Sequence, residues 1–178
     1  MTYSEGFNPR PKMSLALPRS VGTETDDDLL SLRVRTEKDS SKPEELKYRL
    51  SKQLPEGIDL TEVSIADTKK SFNSGLATYL LILKPDYAGK DLKTKIEKIL
   101  STSHINVERS LDSKGKTRNV DVRKFLKSIK LEDTKISVNC RFGQSGTIRV
   151  EEILKILELD MTKLAVPIRR TNIQWNEN

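Results

Sequence analysis

The residues best suited to chemistry cluster at the start of the chain. Ser4-Glu5-Gly6-Phe7-Asn8-Pro9-Arg10-Pro11-Lys12 combines an aromatic ring, an amide and two cations on a backbone stiffened by prolines and freed at Gly6. Prolines hold such a segment extended at low entropic cost, so Phe7 and Arg10 would be presented rigidly to a partner. The chemistry this suits is recognition: Phe7 could stack on a base, Asn8 could hydrogen-bond, and Arg10, Lys12 and Arg19 could meet phosphates. The alternative is a structural loop in which Phe7 is a buried plug and the prolines shape a turn.

Two further basic foci follow. Lys114, Lys116, Arg118, Arg123, Lys124, Lys127 and Lys130 face only Asp112 and Asp121 in their own stretch, and Arg169-Arg170 stand near the end. Arg123, Lys124, Arg169 and Arg170 would extend a positive surface; the other reading is a solvated hairpin with ordinary salt bridges. Lys and Arg number 32 and Asp and Glu 26, so the net charge is 32 − 26 = +6 over 178 residues, with a pI near 9.3. That balance suits an acidic partner and equally suits solubility. Gly143-Gln144-Ser145-Gly146-Thr147 leads into a helix and offers backbone N–H groups to an anion, but no Gly-Lys-Ser/Thr of a phosphate loop follows it. Asp26, Asp27 and Asp28 form either a cation site or a solvated acidic turn.

Catalytic and metal chemistry find little to build on. One cysteine and one histidine exclude a disulfide framework, a Cys-rich zinc site and a self-contained iron–sulfur cluster. No catalytic and no metal-ligating residue is assigned. His104, between a helix and a strand, could serve as a general base, but its spacing suggests no partner. Cys140 falls on the apolar face of a strand with Ile136, Val138 and Phe142 and is expected to be an inert core thiol. The densest apolar string, Leu76 to Leu83, is too short to span a membrane. The polar start lacks a signal-peptide core, so a cytoplasmic protein is expected.

The elements that position these residues follow from periodicity. Gly6, Pro9 and Pro11 predict a loop until Met13, then short strands at Met13–Leu17 and Leu29–Val34. Pro43 with Glu44 and Glu45 predicts a helix start; Leu46, Leu50 and Leu54 give it an apolar face, and Pro55 and Gly57 stop it. Asp59–Ile65 predicts a strand of imperfect alternation. Ala77–Leu83 predicts a strand, and Leu92, Ile96, Ile99 and Leu100 an amphipathic helix. Strands are then expected at Ile105–Glu108, Thr117–Val122 and Phe125–Leu131. Ile136–Phe142 alternates most clearly of all. Val150, Ile153, Leu154 and Leu157 trace a second helix face, and Val166–Trp175 a last strand with Trp175 as a packing residue.

From Leu76 onward this order resembles a ferredoxin-like α/β plait with an inserted hairpin. The first part reads as the same plait without its opening strand and helix. The expected architecture is therefore α+β, a duplicated ferredoxin-like plait divided into residues 1–70 and 71–178.

The opening motif, continued by Met13-Ser14-Leu15-Ala16-Leu17-Pro18 and Val21-Gly22-Thr23-Glu24, carries a resemblance to a family. So do Asn119-Val120-Asp121-Val122-Arg123-Lys124-Phe125-Leu126, Gly146-Thr147-Ile148-Arg149-Val150-Glu151-Glu152 and Arg169-Arg170-Thr171. Together they resemble the radical-SAM-associated (radical SAM-linked) proteins, an uncharacterised domain fused to or encoded beside radical-SAM enzymes. Members usually carry a strand and a basic helix before Gly-Phe-Asn-Pro, whereas this chain starts almost on that motif. The resemblance implies a radical-SAM enzyme as partner. S-adenosylmethionine and the iron–sulfur cluster would be held by that partner alone, since no Cys-x3-Cys-x2-Cys occurs here.

The expectation is a non-catalytic accessory protein that binds RNA (tRNA or rRNA) or recruits a substrate, without a membrane. Phe7, Asn8, Arg10, Lys12, Arg19, Arg123, Lys124, Arg169 and Arg170 would form the RNA or partner surface. Two alternatives stand beside it: a metal-free RNA-processing enzyme using His104, and a purely protein-binding adaptor that pairs a sheet edge with its partner.

Overall fold

A computed structural model describes residues 2–34, 42–66, 72–110, 115–143 and 146–177. Lys114, Asp112, Gln144 and Ser145, named above, lie outside them. The chain is α+β and divides into two compact units: Met1–Leu15 with Leu30–Ser71 and Asn178, and Ala16–Leu29 with Phe72–Glu177.

In the first unit β1 (Met13–Leu15) pairs antiparallel with β3 (Leu30–Leu32), Met13 opposite Leu32. Helix α1 (Pro43–Ser51) starts with Pro43 in its first turn, where the missing N–H costs nothing, and with Glu44 and Glu45 at its positive end. It buries no residue. The strand expected at Asp59–Ile65 does not form. Leu60 and Val63 are three apart, so a strand would point them to opposite faces, and no strand of this unit pairs with the segment.

The second unit holds the core. Its sheet runs β2-β9-β4-β8-β7, from β2 (Thr23–Thr25), β4 (Phe72–Ile82), β7 (Leu126–Glu132), β8 (Lys135–Arg141) and β9 (Ile168–Glu177). All neighbours are antiparallel except β2 and β9. Alternation puts Ala77, Tyr79, Leu81, Ile136, Val138 and Cys140 on one face, all buried. Helices α2 (Lys90–Ser101) and α3 (Val150–Leu157) cover it with Leu92, Ile96, Ile99, Val150, Ile153, Leu154 and Leu157. Burying each such aliphatic side chain is worth roughly 1.5–3 kcal/mol, which is why these elements were legible as periodic patterns. The inserted hairpin, β5 (Asn106–Ser110) with β6 (Thr117–Asp121), forms a sheet of its own and sends Val107 into the core.

Strand β2 falls where the sequence predicts no element, just before the acidic turn at Asp26–Asp28. Thr23-Glu24-Thr25 becomes a strand because it adds in parallel to the edge of β9, Glu24 opposite Arg169 and Thr25 opposite Arg170.

Candidate nucleic-acid and partner interface

The motif loop is closed at its base and exposed at its tip. The Ser4 N–H donates to the Arg10 carbonyl (2.8 Å), the Arg10 N–H donates to Ser4 Oγ (2.9 Å), and the Lys12 N–H donates to the Thr2 carbonyl (2.8 Å). Gly6 takes φ +133°, a region that excludes side chains. The plug alternative fails here, because Phe7 is fully exposed. Asn8, Arg10 and Lys12 are exposed beside it. Among the described residues neither cation has a carboxylate partner.

The second unit uses its cations differently. Arg170 is completely buried. Its Nη2 donates to Asp28 Oδ1 (2.5 Å) and the Leu17 carbonyl (2.8 Å), and Nη1 to the Pro18 carbonyl (3.4 Å). Among the described residues its Nε has no partner. Arg19 Nη1 bonds the other Asp28 oxygen (2.9 Å). Arg169 reaches Glu24 (2.8 Å) and Asp26 (3.4 Å), and the Trp175 indole N–H donates to Asp27 Oδ2 (2.7 Å). Asp26, Asp27 and Asp28 therefore each serve a partner within this unit. Arg19, Arg169 and Arg170 gather around residues 24–28 and clamp that segment onto the sheet. With no exposed surface, Arg170 serves the fold rather than a ligand. Burial pushes the hydroxyl of Tyr79, opposite Arg170 in the ladder, up, and Arg170 opposes the shift.

Arg123 and Lys124 sit apart from that cluster. Arg123 donates to the carbonyls of Leu100 (2.7 Å) and Thr102 (3.0 Å), satisfying groups that the end of α2 leaves open, and to that of Leu126 (3.0 Å). Lys124 Nζ lies 5.0 Å from the Phe125 ring centroid.

Two pairings escaped sequence reasoning. His104 Nδ1 lies 2.9 Å from Asp121 Oδ2, and Asp121 Oδ1 accepts from the backbone N–H groups of Ile105 (3.0 Å) and Arg123 (3.1 Å). The His104 bond, then these N–H groups, hold the Asp121 carboxyl down at about 2. The signal lay in the hairpin register, which sets Asn106 opposite Asp121. The other is Arg109, whose Nε and Nη2 grip both oxygens of Glu152 (2.6 and 2.8 Å), with Nη2 also reaching the Thr147 carbonyl (2.5 Å). Burial alone would push the Glu152 carboxyl up; Arg109 and the Arg149 N–H outweigh it and hold it below its ordinary value. Cys140 is buried as expected, and burial pushes its thiol up to about 12.

A family model described as uncharacterised protein conserved in bacteria (DUF2344) matches residues 1–153. The chain belongs to this family. The DUF2344 match takes in the motif loop, the clamped segment and the Arg109–Glu152 pair, and stops short of β9. Neither a curated protein nor a solved structure matches the chain. Among the described residues no helix is long and apolar enough to cross a membrane.

Proposed function

We propose that this DUF2344 chain is a non-catalytic accessory protein that binds RNA, tRNA or rRNA, or recruits a substrate, for a radical-SAM enzyme in the cytoplasm. One observation carries the reading: a hydrogen-bonded loop holds Phe7 fully in solvent, with Arg10 and Lys12 exposed and without carboxylate partners among the described residues. A ring held in solvent beside cations without carboxylate partners among the described residues fits a stacked base and its phosphates. Phe7, Asn8, Arg10 and Lys12 are the contact residues in this scheme. Arg19, Arg123 and Arg169 contribute charge from positions already engaged by carboxylates or carbonyls. The radical-SAM partner comes from the motif resemblance.

S-adenosylmethionine and the cluster would be the partner's. Cys140, buried and with its thiol pushed up to about 12, does not fit a cluster ligand. The strand–helix–strand–strand–helix–strand order, with neighbours β9-β4-β8-β7 antiparallel, supports a ferredoxin-like plait for the second unit. The first unit, with one strand pair and one helix, gives less support to a second copy.

The enzyme alternative gains one observation, the Asp121-held imidazole of His104, which leaves Nε2 for acid–base work. The test for the primary reading is tRNA and rRNA-fragment binding by the full chain and by Phe7→Ala and Arg10→Ala/Lys12→Ala. Loss of binding with unchanged melting supports it; unchanged RNA and partner binding overturns it. RNA cleavage abolished by His104→Ala would move the assignment to the enzyme.

A further inference from the structure

The face of the second unit's sheet that turns away from α2 and α3 carries a row of polar and cationic side chains. Register sets Lys130, Ser137, Leu80 and Arg169 side by side in one row across β7, β8, β4 and β9, and Ser128, Asn139 and Thr78 in the next. Arg141, opposite Leu76, lies farther along on the same face. Asn139 is fixed by both neighbours: Thr78 Oγ1 donates to its Oδ1 (2.7 Å), and its Nδ2 donates to Ser128 Oγ (2.8 Å). An amide has two lone pairs and two N–H groups, so among the described residues one acceptor and one donor remain unused, on a half-buried residue. A rigid amide with a spare donor and acceptor matches the edge of an adenine.

Charge selects the occupant. Lys130 and Arg141 are exposed, and among the described residues neither has a carboxylate partner. The positions between them are Ser128, Ser137, Asn139, Leu76 and Leu80, none acidic. Among the described residues the carboxylates of this face stand at the rim, Glu132 opposite Lys135 and both Glu24 and Asp26 on Arg169. Lys130 and Arg141 lie one strand and four residues apart, about 14 Å between Cα atoms from standard sheet spacings. That spacing lets the two cations reach different, non-adjacent phosphates of an extended strand. A base edge is free to meet Asn139 only when it is unpaired.

We propose that the β7–β8 side of this sheet face binds single-stranded RNA, Lys130 and Arg141 taking the backbone and Asn139 a base edge; toward β4 and β9 the face closes, with Thr78 and Thr171 buried. The proposal rests on the RNA reading above and adds a second surface to it. The test titrates fluorescein-labelled oligoadenylate and oligouridylate of about twelve nucleotides with the full chain. The variants are Lys130→Glu/Arg141→Glu, Asn139→Ala and Arg10→Glu/Lys12→Glu, each checked for unchanged melting. Lys130→Glu/Arg141→Glu should weaken both oligonucleotides about tenfold or more at moderate salt. Asn139→Ala should weaken oligoadenylate roughly fivefold more than oligouridylate. If wild type binds and only Arg10→Glu/Lys12→Glu weakens binding, the sheet-face proposal is overturned while the loop reading stands. If wild type binds no RNA, both fall. If polyglutamate displaces RNA from the face and Asn139→Ala has no effect, the face takes an acidic protein segment and the proposal is overturned.

Discussion

Asp28→Ala should destabilise the second unit more than any change at the exposed ion pairs. Asp28 bridges Arg170 (2.5 Å) and Arg19 (2.9 Å). Arg170 is 0% exposed and Asp28 22%. Removing one partner of a buried pair costs about 3–5 kcal/mol because the other charge stays buried. Arg170 keeps two carbonyl acceptors, Leu17 and Pro18, but its Nε is already orphaned. The lower end, about 3 kcal/mol, is therefore expected. At about 2–4 °C per kcal/mol the melting temperature should fall by about 6–12 °C. Arg19→Ala, which breaks the more exposed arm, should cost less than about 1 kcal/mol. Asp28→Ala/Arg170→Met removes the charge together with its partner and should be more stable than Asp28→Ala alone. Thermal and urea unfolding followed by circular dichroism reads all four proteins. A loss under about 1 kcal/mol for Asp28→Ala, or a double variant weaker than the single, would refute the clamp.

Three further outcomes follow from the same side chains. Asp121, held at about 2 against an ordinary 3.8, stabilises the fold above that ordinary value, and the contribution is lost as pH falls through about 2. Asp121→Asn should flatten the acid limb of the melting profile over that window; parallel wild-type and variant profiles would contradict this. Glu152→Gln leaves the half-buried Arg109 without its countercharge and should cost about 1–3 kcal/mol by urea unfolding, a near-neutral result counting against the pair. Cys140 should resist a thiol reagent at neutral pH in the native state and react on unfolding; rapid native labelling would contradict its burial.

Local periodicity was legible and long-range pairing was not. Leu92, Ile96 and Ile99, or Ile136, Val138 and Cys140, announce one apolar face because burial selects residue type at fixed spacing. Thr23-Glu24-Thr25 carries no such signature; it is a strand only because β9 supplies an edge. Asp28 and Arg170 stand 142 residues apart, so their charges read as separate acidic and basic foci. The same holds for Arg109 and Glu152. Cations that looked available in the sequence, Arg19, Arg169 and Arg170, are thus engaged, while Phe7, a plausible plug, stands in solvent. Asn139 was legible in part: alternation with Val138 and Cys140 points it away from the core, but its fixing by Thr78 and Ser128 needs the register.

The most direct measurement is the affinity of the full chain for tRNA and rRNA fragments across a salt series. Micromolar or tighter binding is expected, with a log–log slope of about −1.4 from Arg10 and Lys12 alone, roughly a sevenfold loss between about 50 and 200 mM salt. Arg10→Ala/Lys12→Ala should flatten the slope by that amount. No binding at low salt, or affinity indifferent to salt, would contradict the nucleic-acid account and leave a protein adaptor.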